Sequence, residues 1–125
     1  MAAIGLIRCE KNENRCPLTG CLKSLENRVQ GFSGHEQTEL VGVFTCHCPG
    51  DDLIDKAKIL KSKGADTIHI CTCTFASKND GAWVQGGGFC EKVDELMQNV
   101  SNEAQITCIK GTAHLPEGYQ PQTFS

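Results

Sequence analysis

The chain has 125 residues, 12 Lys and Arg against 15 Asp and Glu, and a net charge of −3. That length predicts one domain spanning 1–125, long enough to bury a core of its own. The charge balance, with no basic stripe, argues against nucleic acid as a partner, and no segment approaches the roughly 20 apolar residues of a membrane span.

Nine Cys would suit a disulfide framework in a small secreted chain. The opening MAAIGLIR has no basic start, long apolar run or following cleavage site. The expectation is therefore a cytoplasmic protein with reduced thiols, in which clustered Cys signal metal or redox chemistry. Nothing in the sequence fixes an oligomeric state.

Residues 2–8 form a continuous apolar run that predicts a strand buried on both faces. A polar stretch over 9–17 follows. Leu18, Leu22, Leu25 and Val29 then recur at helical spacing, with Gly31 as the stop. Residues 38–45 read as the second strand. Pro49-Gly50-Asp51 opens a second helix with Asp51 or Asp52 as N-cap, Leu53, Ile54, Ala57 and Leu60 inward, and Gly64 as terminator. Lys56, Lys58, Lys61 and Lys63 on this helix, with Asp51, Asp52 and Asp55, read as a solvated face. Residues 65–70 predict a third strand, and 77–88 a long polar, Gly-rich loop carrying Trp83, which could act as a lid. Residues 89–100 read as a helix with Val93, Leu96, Met97 and Val100 inward, and 105–110 as a fourth strand. The tail from Gly111 is expected to cross the surface.

This βαβαβαβ order predicts a single three-layer α/β domain. Its four-stranded parallel sheet is flavodoxin-like or Rossmann-like, with helices on both faces and right-handed crossovers. In such a sheet ligands bind outside the carboxyl edge of the strands. Eight of the nine Cys fall there: Cys9, Cys16, Cys21, Cys46, Cys48, Cys71, Cys73 and Cys90. Helix N-termini at that edge are expected to lower thiol pKa values. Cys108, inside a strand, reads as a small core residue, and His69 as a hydrogen-bonded core residue. Cys21 and Cys90 share stripes with apolar neighbours and read as core residues or as ligands. His35 reads as a solvated loop residue.

Cys9, Cys46, Cys48 and Cys73 are the expected core metal ligands, with Cys16, Cys21, Cys71 and His114 as outer candidates. Cys46-His47-Cys48 is C-x-C, and its two thiols clasp one ion only if Pro49-Gly50 turns the backbone sharply. There is no C-x2-C pair, P-loop or GxGxxG. Gly86-Gly87-Gly88 reads as an anion-binding nest or as a loop end. Thiolate-rich ligation favours zinc, copper(I) or an iron–sulfur cluster. Zinc comes first because it needs only four such ligands, and with this many donors two ions are conceivable. The expected role is a soft-metal-binding protein for storage, delivery or sensing. The alternatives are a zinc metalloenzyme with an open coordination position, or a thiol-redox or iron–sulfur protein.

At these residues the chain resembles the CGGC-domain family, small prokaryotic proteins regarded as metal binders for their many Cys and His. The resemblance covers about residues 3–114. It rests on Ile7-Arg8-Cys9, Cys16-Pro17 with Cys21, Cys46 and Cys48-Pro49-Gly50, the stretch GADTIHICTC, and Gly111-Thr112 with His114. It departs at the central Cys-Gly-Gly-Cys, which here is Cys46-His47-Cys48, one residue shorter and with a potential ligand in place of glycine. The resemblance implies metal binding and an α/β fold.

Overall fold

The computed structural model describes residues 2–125. Seven strands and three α-helices follow in order: β1 (Ala2–Cys9), α1 (Thr19–Asn27), β2 (Thr38–Cys46), α2 (Leu53–Ser62), β3 (Thr67–Ile70), β4 (Ala76–Asn79), β5 (Ala82–Gln85), α3 (Val93–Ala104), β6 (Thr107–Lys110) and β7 (Gln122–Phe124). The main sheet has the order β2-β1-β3-β6-β7, and β4-β5 is a separate hairpin. β2, β1, β3 and β6 run parallel, while β7 joins β6 antiparallel. The expected four-stranded parallel sheet is thus a mixed, five-stranded one. Its extra strand is the tail, which returns to bury Phe124 against the core instead of crossing the surface.

Strand parity divides the interior. Ile4 and Leu6 of β1 pack with Leu25 of α1 and Phe32 on one face. Ile7 faces the other way, into the cluster built by Leu53, Ala57 and Leu60 of α2 and Val93, Met97 and Val100 of α3. A β-bulge interrupts the β1–β2 ladder after Ile4, so that Gly5 pairs with Gly42 and Cys9 with Cys46. Both glycines lie under Leu60: a Cβ on Gly5 would come within 2.8 Å of its Cδ1, and one on Gly42 within 3.1 Å of its Cδ2. The bare backbone is what lets α2 approach the sheet.

Several local expectations change. α1 ends at Asn27, with Arg28 in the left-handed region (φ 56), three residues before Gly31. Leu22 and Val29 are exposed, and the inward positions are Cys21, Ser24 and Leu25. Residues 77–88 are not a structureless loop. Asp80 and Gly81 both have positive φ (50 and 82), the requirement of a two-residue hairpin turn, and join β4 to β5. The third helix starts at Val93 rather than Phe89. Among the described residues no helix is long and apolar enough to cross a membrane.

His35 is not a solvated loop residue. Its Nε2 lies 3.0 Å from Nε2 of the fully buried His69, whose Nδ1 lies 2.8 Å from the Gly111 carbonyl oxygen. A carbonyl only accepts, so His69 donates from Nδ1 and accepts at Nε2, which makes His35 the donor of the inter-imidazole bond. His69 also packs on Phe32, ring centroids 4.3 Å apart. Burial holds its pKa down at about 4, and burial also lowers that of His35. A group with a depressed folded pKa contributes stability above its unfolded value, near 6.5, and that contribution disappears as pH falls through the folded value. Acidification from about pH 6.5 to 4 is therefore expected to cost on the order of 2–3 kcal/mol at this pair. Thermal unfolding of the wild type and of His69→Asn across that range checks it: the variant should start less stable at pH 7 and show a shallower acid slope, and parallel slopes would refute the assignment.

Candidate functional site

The sheet's carboxyl edge collects the thiols as expected, but strand parity sorts them onto two faces. Cys9 ends β1 on the side of α2 and α3, and its register partner Cys46 lies in the same core cluster. Beyond β2 a turn closes at Gly50, whose amide donates to the His47 carbonyl (2.6 Å). Gly50 has φ +87, and a Cβ there would meet Leu96 at 3.2 Å and the Cys46 sulfur at 3.5 Å, so the turn folds directly over Cys46. Glu10 fixes the next residue: its Oε2 accepts the Cys48 amide at 2.6 Å and lies 3.3 Å from Nδ1 of His47. His47 is thereby held in an exposed pair with Glu10.

A fourth thiol joins from an unexpected position. Cys90 precedes α3, in an irregular, bent segment whose amides bond to the end of the third strand's connection: Phe89 N–H to the Cys73 carbonyl and Cys90 N–H to that of Thr74 (2.8 Å). Gly88 permits this, since a Cβ there would lie 2.6 Å from the Phe75 carbonyl carbon. The glycine run is thus a site of close backbone approach, and it carries Cys90 to the edge.

Cys9, Cys46, Cys48 and Cys90 line one cleft of about 310 Å³, together with Ile70, Thr74, Phe89 and Leu96. Burial pushes the Cys46 thiol up to about 11, and the neighbouring Cys90, Cys9 and Cys48 sulfurs add to the shift. Cys9 is also raised, by burial first and then by Cys48 and Cys90, against a lowering backbone bond from Lys11. Thr74 Oγ1, on the wall of the same cleft, is buried without a hydrogen-bond partner. Such an orphan marks a place where something polar belongs. Among the described residues, no three Cys, His, Asp or Glu side chains are already drawn together as a metal-holding group.

Four of the remaining thiols, Cys16, Cys21, Cys71 and Cys73, gather elsewhere along the edge. Cys71 follows β3, its amide bonded to the Ile7 carbonyl, and its sulfur is 3.7 Å from that of Cys21 in the first turn of α1. Cys21 also contacts Thr112 Oγ1 at 3.0 Å. Cys16, Cys21, Cys73 and His114 line a smaller cleft of about 150 Å³ with Trp83. Trp83 stacks on the His114 ring, centroids 5.2 Å apart and planes 11° from parallel, so the hairpin does cover this edge. Arg8 ties the Cys16 loop to the sheet by donating to the Cys16 carbonyl (3.2 Å) and to Thr45 Oγ1 (3.4 Å).

The candidate set is therefore regrouped. Cys9, Cys46 and Cys48 come together as expected, joined by Cys90. Cys73, expected beside them, lines the neighbouring cleft with Cys16, Cys21 and His114; Cys71 is buried behind Cys21. Cys108 is a fully buried core residue, its thiol raised to about 12 by burial. The helix N-termini do not lower the thiols as a group: burial takes Cys46 and Cys73 both to about 11, whereas Cys21 is lowered to about 7 chiefly by its hydrogen bond with Cys71.

The sequence pattern of the CGGC domain matches residues 3–113. An uncharacterized protein of Methanocaldococcus jannaschii is 30% identical over 118 residues, covering 87% of this chain and 84% of its own. No solved structure gives a significant match. The chain belongs to the CGGC-domain family.

Proposed function

We propose that this protein binds one soft metal ion, zinc before copper(I) or an iron–sulfur cluster, in the cleft lined by Cys9, Cys46, Cys48 and Cys90. The observation that carries the proposal is the convergence of four thiols from three chain segments on one cleft that also holds an orphaned buried hydroxyl. Sulfur donors suit zinc, copper(I) and iron–sulfur centres, and zinc alone is satisfied by four thiolates in a tetrahedron without cluster assembly.

Four thiolates close a tetrahedral shell, which supports storage, delivery or sensing over activation of a bound water. Cys9 and Cys46 are buried on strands, whereas Cys48 is exposed in a turn and Cys90 half-buried in an irregular segment. An ion entering the cleft has to draw the last two onto the first two. Binding then couples to closure of the 47–50 turn and the 86–92 segment, the behaviour wanted of a site that loads and unloads. Ile4, Leu6, Ile7 and Ile68 are fully buried in an α/β core of the chain's own, so metal should add stability without being required for folding. We take the parallel β2-β1-β3-β6 order as support for the flavodoxin-like reading of that core.

Replacing any of Cys9, Cys46, Cys48 or Cys90 with Ser should weaken zinc binding by more than the roughly 10–100-fold typical of outer-shell changes. Cys16→Ser should leave the affinity unchanged. Competition with a chromophoric chelator measures this, and unaltered affinity in the four variants would remove the proposed ligand set. Because burial keeps Cys9 and Cys46 protonated at neutral pH, zinc has to displace their protons. Affinity should therefore rise with pH between about 6 and 9, with at least about two protons released per ion. Calorimetry in buffers of differing ionisation enthalpy counts them, and a pH-independent affinity with no proton release would contradict thiolate ligation.

A further inference from the structure

On the opposite face of the sheet, Cys21 and Cys71 form a pair that the metal reading leaves unused. Their sulfurs are 3.7 Å apart although the residues are 50 positions apart in sequence. A disulfide bond is about 2.05 Å long, so the sulfurs need to close by roughly 1.7 Å. The two differ in environment. Cys71 is 1% exposed, whereas Cys21 opens onto the cleft walled by Trp83 and His114.

Thr112 orients the pair. It is fully buried and locked to Thr72 by reciprocal bonds: the Thr72 amide donates to Thr112 Oγ1 (3.2 Å), and the Thr112 amide donates to Thr72 Oγ1 (3.0 Å). With its oxygen already accepting, the Thr112 hydroxyl has its proton free for the Cys21 sulfur 3.0 Å away. As a thiolate Cys21 can only accept, and it then takes the O–H of Thr112 and the S–H of Cys71, both favouring that charged form. Gly20 leaves room beside it for the imidazole: a Cβ there would lie 2.9 Å from His114 Nε2.

We infer that Cys21 and Cys71 are a redox-active dithiol that reduces small organic disulfides admitted to the Trp83–His114 cleft, Cys21 being the attacking sulfur and Cys71 the resolving one. In the first step the Cys21 thiolate attacks one sulfur of RS–SR; the S–S bond breaks, a Cys21–SR mixed disulfide forms and RS⁻ leaves. In the second, Cys71 gives up its proton to the departing thiolate and attacks the Cys21 sulfur, expelling the second RS⁻. The protein dithiol is oxidised by two electrons and the small disulfide is reduced to two thiols. The pKa of Cys21, lowered to about 7 chiefly by the hydrogen bond from Cys71, agrees with a nucleophile ready at neutral pH, while that of Cys71 is raised by the same bond and by burial.

The test uses the full-length, chelator-stripped chain with oxidised glutathione, acid quenching and non-reducing peptide mapping. The expected result is one Cys21–Cys71 disulfide with two equivalents of glutathione released. Cys71→Ser should stop at a glutathione adduct on Cys21 with one equivalent released, and Cys21→Ser should slow release by at least about tenfold. A disulfide between any other pair, or two equivalents released from Cys71→Ser, would overturn the inference. Should Cys71→Ser fail to fold, the pH profile of iodoacetamide labelling at Cys21 in the wild type decides: half-maximal rate near pH 7 supports it, and near pH 9 refutes it. The inference is independent of the metal site. A Cys9→Ser/Cys48→Ser variant is expected to lose zinc and keep the exchange, so failure of either reading leaves the other standing.

Discussion

The seating of Leu60 on the Gly5–Gly42 pair holds β1, β2 and α2 in one relation, and the geometry of the thiol edge follows from it. The two glycines face each other only because the bulge after Ile4 advances β2 by one residue relative to β1. The same step places Cys46 opposite Cys9; continued from the Ile4–Leu40 pairing without the bulge, the ladder would set Thr45 there. A one-residue slip in a strand exchanges the faces of every side chain beyond it. A packing contact in the middle of the sheet therefore determines which sulfur stands beside which at its end.

Period-two alternation does the rest. Leu6 and His69 are register partners on the α1 side, and Ile7 and Ile70 on the α2–α3 side. Continuing each strand by one turn of the pleat sends Cys9 and Cys71 to opposite faces. Cys9 meets Cys46, Cys48 and Cys90, and Cys71 meets Cys21. The sheet itself separates a four-thiol cleft suited to an ion from a two-thiol pair suited to electron exchange. The Glu10 carboxylate, the Gly50 turn and the Gly88 close approach each complete the first; the Thr72–Thr112 lock completes the second.

Much of this was legible in the residue pattern. The apolar run of β1, the helical spacing of Leu53, Ala57 and Leu60, and the Gly64 stop all correspond to observed elements, and together they locate the cysteine edge. What was missed had weak or misassigned signals. The Asp80-Gly81 dipeptide is a hairpin signature, but polar flanking residues hid the strands on either side of it. β7 is three residues long with only Phe124 buried, too short to display alternation. In α1 the leucine spacing put Leu22 and Val29 on the inward stripe, while packing against Ile4 and Leu6 takes Leu25 and Cys21 and leaves Leu22 and Val29 exposed. Cys90 shared the spacing of Val93 and Met97, so it read as helical; only the three-dimensional path of Gly86-Gly87-Gly88 shows why it lies outside the helix. The His35–His69 contact links residues 34 apart in sequence and leaves no local trace.

The hairpin adds an optical property to the chemistry. Trp83 is the chain's only tryptophan, and its indole lies flat against the His114 imidazole on the wall of the cleft that Cys21 also lines. Its emission consequently originates from one place, the shared wall of the two clefts that Cys73 also lines, with no second fluorophore of its kind to dilute it. A guest that slides between the two rings, or a bond that tightens the floor beneath them, changes the surroundings of that single indole. The molecule carries its own fluorescent gauge of what occupies the clefts beneath its hairpin.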